Sequence, residues 1–114
     1  MAVIVQQVQD CHFITAIGCF NGDDCRQLRQ VIADAKDQHI RHVLVDCERI
    51  TSVTTEALRI VLSQTTHAEA TGINLLFYHV NTKTQEIIDK TGLDSVLHIV
   101  LSLKEAYQYC KQHT

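Results

Sequence analysis

Two adjacent hydroxyls, Thr54 and Thr55, stand between an apolar run, 43–47, with the polar connector that follows it, and a segment in which Leu58, Val61 and Leu62 recur at i, i+3 and i+4. Thr65 and Ala68 continue the same face. This spacing predicts a helix whose stripe is anchored in a core and whose solvent-facing start carries the hydroxyl pair. The first turn of a helix offers free N–H groups and the positive end of the dipole, surroundings that accommodate a phosphoryl group. The chemistry the spacing allows is therefore acceptance of a phosphate at Thr54 or Thr55. The plainer reading is that Thr54 caps the helix and Thr55 is an ordinary first-turn residue.

Other polar residues are candidates for contact with a partner. Glu48 and Arg49 lie in the connector before the hydroxyls, and Glu56 and Arg59 follow them on the helix. Asn21, Gly22 and Asp23 follow a strand and open a helix. They are expected near the start of the Thr54 helix if the sheet places both strand ends on one side. Charged loop residues are more often simply solvated, so these are assigned as partner-binding and none as catalytic.

Cysteine and histidine point elsewhere than to a metal. Cys11, Cys19, Cys25, Cys47 and Cys110 are an odd number without a C-x-x-C, which fits buried free thiols acting as small hydrophobes. The seven histidines show no H-x-x-x-H or H-E-x-x-H spacing, and Cys11 and His12 would point to opposite faces of a strand. No metal and no cofactor is expected. A thiol-dependent or metal-dependent activity using Cys47, Asp46 and nearby histidines is the enzymatic alternative, since strand ends often carry active sites in α/β folds. No base is placed beside Cys47 by the sequence.

The elements that must position these groups alternate along the chain. Segments 2–8 and 12–20 read as strands joined by a tight connection at Gln9 and Asp10. A helix opens at Asn21 and carries Cys25, Leu28, Val31, Ile32 and Ala35 on one face, ending near Gln38. Strand 42–47, the Thr54–Ala70 helix, strand 73–80, a helix from Asn81 to Gly92 and a last strand 96–100 follow. Ser102 and Glu105 form an S-x-x-E capping box for a final helix with Leu103, Ala106, Tyr107 and Cys110 on one face. The order β-β-α-β-α-β-α-β-α implies an α/β fold, a mixed and mostly parallel sheet with about four helices.

Size and charge limit the function. The 114 residues, 46% hydrophobic and 20% charged, contain no proline or repeat and are expected to form one domain over 1–114. A net charge of −3 without a basic run excludes a broad nucleic-acid face. No apolar run approaches the roughly 20 residues of a membrane span, and the first residues lack the pattern of a signal peptide. No membrane insertion is expected, and a cytoplasmic location is.

The segments Phe13 to Phe20, the strand ending in Asp46, the Ile50 to Val53 connector, Thr54 to Leu58, Gly72 to Phe77, Thr91 to Leu93 and Ser102 to Ala106 together resemble the STAS family of anti-sigma factor antagonists. The resemblance spans nearly the whole chain. Its members carry an Asp-Ser-Ser-Gly-Leu-like segment whose first hydroxyl after the Asp is phosphorylated by an anti-sigma kinase. Thr54 falls on the Asp, Thr55 on the acceptor, Glu56 on the next small residue, Ala57 on the Gly and Leu58 on the Leu. The resemblance implies a non-enzymatic STAS-like interaction domain that binds a GHKL-type anti-sigma kinase and is switched by phosphorylation at Thr55. The alternative within the fold is a STAS subunit of a larger assembly, a stressosome-like particle or a lipid-transport ATPase complex, docking without a phosphorylation cycle.

Overall fold

The central strands are apolar nearly throughout, and because successive side chains face opposite ways they feed two cores. The computed structural model describes residues 2–8, 11–95 and 97–112. Its five-stranded sheet contains β1 (Ala2–Val8), β2 (Cys11–Phe20), β3 (His42–Asp46), β4 (Ile50–Val53) and β5 (Asn74–Tyr78). The strand order is β1-β2-β3-β5, with β4 also paired to β2. The first pair is antiparallel and every other pair parallel. Helices α1 (Gly22–Asp37), α2 (Thr55–Ala70), α3 (Thr82–Thr91) and α4 (Leu103–Gln112) and a 3₁₀ turn (Leu93–Ser95) complete the fold.

Successive side chains of a strand face opposite ways, so Val43 and Val45 of β3 and Leu75 and Phe77 of β5 join one core with Ile14 and Ala16. Leu28, Ile32 and Ala35 of α1, Ala57, Leu58 and Val61 of α2 and Ile88 of α3 close over that core. The intervening Leu44, Leu76 and Tyr78 face the other way with Cys11, where Ala106 and Cys110 of α4 cover them. A parallel sheet buried on both faces explains why its central strands read as nearly continuous apolar runs.

The α/β class, the mixed and mostly parallel sheet and the four helices agree with the sequence reading, while three local features differ. Residues Ile50–Val53, expected as a connector, form β4, because the ten residues of β2 take two partners in succession: β3 along 11–15 and β4 along 18–20. The changeover falls at Gly18, whose φ of 89° is open to glycine at little steric cost and whose N–H donates to the Arg49 carbonyl at 3.0 Å. The expected strand 96–100 reduces to one parallel bridge, Phe77 with Ile99; Val96 itself lies outside the described residues. Phe77 N–H donates to the His98 carbonyl and Val100 N–H to the Phe77 carbonyl, and the chain is then taken up by the cap of α4. There the Leu101 N–H donates to Glu105 Oε2 and the Glu105 N–H to Ser102 Oγ.

The third difference is the face of α4. Ala106 and Cys110 are buried, but Leu103 and Tyr107 are exposed, with Lys111 Nζ 4.9 Å from the Tyr107 ring centre. In α2 the stripe is Ala57, Leu58, Val61, Gln64, Thr65 and Ala68, with Leu62 only partly buried. The connection at Gln9 and Asp10 and the side chain of Cys25 lie outside the described residues; the register Val8 opposite Cys11 gives β1 and β2 the arrangement of a hairpin.

Candidate functional site

Thr54 has extended backbone angles, φ −82° and ψ 155°, and its hydroxyl accepts the Ala57 N–H at 3.1 Å. Its carbonyl accepts the Leu58 N–H at 3.2 Å. This is an N-cap, in which a side-chain oxygen satisfies one of the donors left without an intrahelical partner. Capping gives Thr54 a structural duty and leaves Thr55, exposed, as the first residue of α2. Glu56 follows in the same turn, where a carboxylate suits the positive end of the helix.

The start of α1 adjoins the start of α2. Asn21 Oδ1 accepts the Asp23 N–H at 3.0 Å, and Asp23 pairs with Arg26. Asn21, Gly22, Asp23, Arg26 and Glu56 line a shallow depression of about 220 Å³. The contact depends on position 22 having no side chain, since a Cβ there would lie 2.7 Å from Glu56 Oε1. Asn21, Gly22, Asp23 and Glu56 are thus gathered beside the hydroxyl pair, and Arg26 joins them without having been singled out in the sequence.

Glu48 and Arg59 belong to other groups. Glu48 donates its N–H to Asp46 Oδ1 at 3.0 Å, and its Oε2 lies 3.9 Å from His79 Nδ1. His79 Nδ1 is also 3.3 Å from Asp46 Oδ1. The exposed Arg49 contributes its carbonyl to the Gly18 turn. Arg59 faces a groove with Arg29 and His67.

Asp46, Glu48 and His79 each offer one ligand atom, all within 4.8 Å of one another, a spacing a divalent cation could use. The sequence reading named Asp46 with unspecified nearby histidines as a metal-dependent alternative, but singled out neither His79 nor Glu48 as a ligand. His79 lies 33 residues from Asp46 and is placed by the parallel pairing of Asp46 with Tyr78 and by its own left-handed backbone, φ 56°. Glu48 is exposed and Asp46 Oδ1 already accepts a backbone hydrogen bond, so the three also form a self-consistent polar cluster.

Cys47 is poorly suited to nucleophilic chemistry. Burial, reinforced by the negative charge of Asp46, pushes its thiol up to about 12. Its Sγ lies 3.7 Å from the Val45 carbonyl, and only the thiolate is a strong nucleophile. Burial and the charges of Asp46 and Cys47 also raise Tyr78 to about 12.

A β-β opening, a mixed sheet covered by helices on both faces and a hydroxyl-opened α2 define a STAS domain. A family profile described as "Mlab, STAS domain" matches residues 3–101, and the chain belongs to that family. Solved structures share the fold. SpoIIAA, a Bacillus cell fate determinant in its phosphorylated form, superposes with a TM-score of 0.70 at 17% identity, over 96% of this chain and 99% of that one. An anti-sigma factor antagonist from Mycobacterium paratuberculosis gives 0.76 at 16% identity, over 95% and 92%. RsbS of Moorella thermoacetica, as a glutamate-substituted form, gives 0.79 at 14% identity, over 98% and 97%. No curated protein matches the sequence. Among the described residues no helix is long and apolar enough to cross a membrane.

Proposed function

We propose that this chain is a cytoplasmic protein-interaction module of the anti-sigma factor antagonist type, with a GHKL-type anti-sigma kinase as partner and Thr55 as the residue that receives phosphate. The observation that carries the reading is the division of labour between the two hydroxyls. Thr54 caps α2, so the exposed Thr55 hydroxyl is left for chemistry at a helix start. SpoIIAA, similar in fold, exists in a phosphorylated form, which supports carrying the switch to this chain.

A phosphate adds about −1.5 to −2 charges. On Thr55 it meets the N-terminal end of α2, which favours an anion, and the neighbouring Glu56, which opposes it. The folding consequences therefore offset one another, and the charge acts outward on whatever covers Asn21, Gly22, Asp23 and Glu56. Glu48, Arg49 and Arg59 are the outlying contacts of the same reading. The test is incubation with a kinase captured by this chain and ATP, followed by mass spectrometry. Phosphate on Thr55 supports the switch, and phosphate elsewhere overturns it.

A second reading rests on Thr54, which stands where the acidic residue of the antagonist segment is expected, and on the Mlab description of the matched family. In it the same helix start docks permanently in a larger assembly with no phosphorylation cycle. A stable, co-purifying ATPase partner distinguishes it from a transient kinase pair.

A further inference from the structure

On a chain whose net charge is −3, two arginines and a histidine converge with no carboxylate among the described residues that line the place. The place is the groove between α1 and α2, which pack side by side. Its volume is about 370 Å³, and its walls are Arg29, Arg59, Ser63 and His67 around a floor that includes Ile32 and Ile60. Arg59, Ser63 and His67 succeed one another at i, i+4 and i+8, so they form one stripe along α2. Arg29 faces them from α1, one turn before Ile32. Among the described residues neither arginine forms an ion pair. Glu56, at i−3 from Arg59, holds its carboxylate beside Gly22 instead. Ile32 is buried and Ile60 half-buried, so the floor is apolar while the rim is cationic.

We propose that this groove is a docking site for an acidic, amphipathic helix of a protein partner, seating apolar side chains on Ile32 and Ile60 and its carboxylates against Arg29 and Arg59. The inference deepens the interaction reading above and rests on it, because it names the chemistry of the partner surface. Guanidinium groups suit carboxylates because their planar forks match two acceptor oxygens, and arginines not already paired lose no internal ion pair on docking. Apolar burial between the two charges supplies the centre of the contact and the charges supply its rim and its orientation. A groove built this way binds more weakly as salt rises.

The test uses the full chain, isotope-labelled, and a synthetic 15-residue helical peptide presenting leucines at i and i+4 flanked by glutamates. Titration should shift the amide resonances of Arg29, Ile32, Arg59, Ile60, Ser63 and His67. Arg29→Glu with Arg59→Glu should weaken the peptide at least tenfold, as should glutamine in place of the peptide's glutamates, while the folded spectrum is retained. Arg29→Lys with Arg59→Lys should bind in between. Shifts confined to another surface, no saturable binding, or affinity indifferent to charge reversal overturns the proposal. So does displacement by inorganic phosphate that leaves the leucines without effect, which would mark a free-anion site. Loss of peptide binding by the arginine variants with a Thr55-indifferent kinase complex would sink the switch but keep the groove, and the reverse pattern would sink the groove alone.

Discussion

The carboxylate of Glu56 occupies the space that any side chain at position 22 would need: a Cβ on Gly22 would stand 2.7 Å from Oε1 and 3.0 Å from Cδ. The obstruction is the far end of a flexible side chain, so Gly22→Ala should displace Glu56 at little cost, within about 1 kcal/mol. In a Glu56→Ala background the same change should stabilise by about 0.4–1 kcal/mol, because alanine restricts the unfolded chain and nothing remains to be moved. A double-mutant cycle by chemical denaturation reads the coupling. Equal effects in both backgrounds would mean that Glu56 does not rest on Gly22.

Thr54→Ala should destabilise by about 0.5–2 kcal/mol, the usual loss when a capping oxygen is removed. Thr54→Asp should hold stability, since aspartate accepts the same N–H and adds a charge suited to the helix start. Thermal midpoints of the two variants check this, and a neutral alanine would show that the 3.1 Å bond to Ala57 contributes nothing.

Leu58 and Leu62 of α2 lie in different surroundings although both fit the helical stripe. Leu58→Ala should cost about 2–5 kcal/mol, as for a large-to-small change in a packed core, and Leu62→Ala clearly less because that side chain is only partly buried. Urea titration gives both values. Equal losses would place the two residues at the same depth.

Thr55→Glu should leave the thermal midpoint nearly unchanged, because the residue is exposed at a helix start, and should weaken the partner complex by more than about 1.4 kcal/mol, a tenfold change. Thr55→Ala should keep the complex and abolish phosphorylation. Calorimetric titration against the captured kinase separates folding from binding, and a complex of unchanged affinity would leave a docking module without a switch.

The raised Cys47 thiol has a consequence at alkaline pH. An acid whose folded pKa lies above its ordinary value stays protonated in the folded chain after the unfolded chain has ionised. Stability from Cys47 is thus complete below pH 9.0 and is lost as pH rises from there towards about 12. The slope is about 1.4 kcal/mol per pH unit for one such group. Tyr78 acts the same way from 10.0 towards about 12. Cys47→Ala should flatten the fall in unfolding free energy between pH 9 and 10, where the tyrosine has scarcely begun to contribute. At pH 8 a small alkylating reagent should modify the exposed Cys19 well before Cys47; rapid modification of Cys47 would contradict its burial.

Local chemistry was sufficient for the helices. Asn81 and Gly92 bound α3, and Ser102 with Glu105 opens α4, because a cap is an interaction among residues only a few positions apart. The start of α2 and its hydroxyl pair were legible for the same reason, and so was the α/β class, since buried parallel strands must be apolar on both faces. Tertiary structure decided what depends on distant partners. Ile50–Val53 is a strand only because β2 has three further residues to pair, and 97–100 is not one because a single residue, Ile99, bridges to β5 before the α4 cap begins. The spacing of Leu103, Ala106, Tyr107 and Cys110 predicted one covered face for α4, but only the packing against Leu44 and Leu76 selected Ala106 and Cys110 from it. His79 meets Asp46, and Arg29 comes to share a groove with Arg59, across 33 and 30 residues of chain, through strand pairing and helix packing that no local spacing encodes.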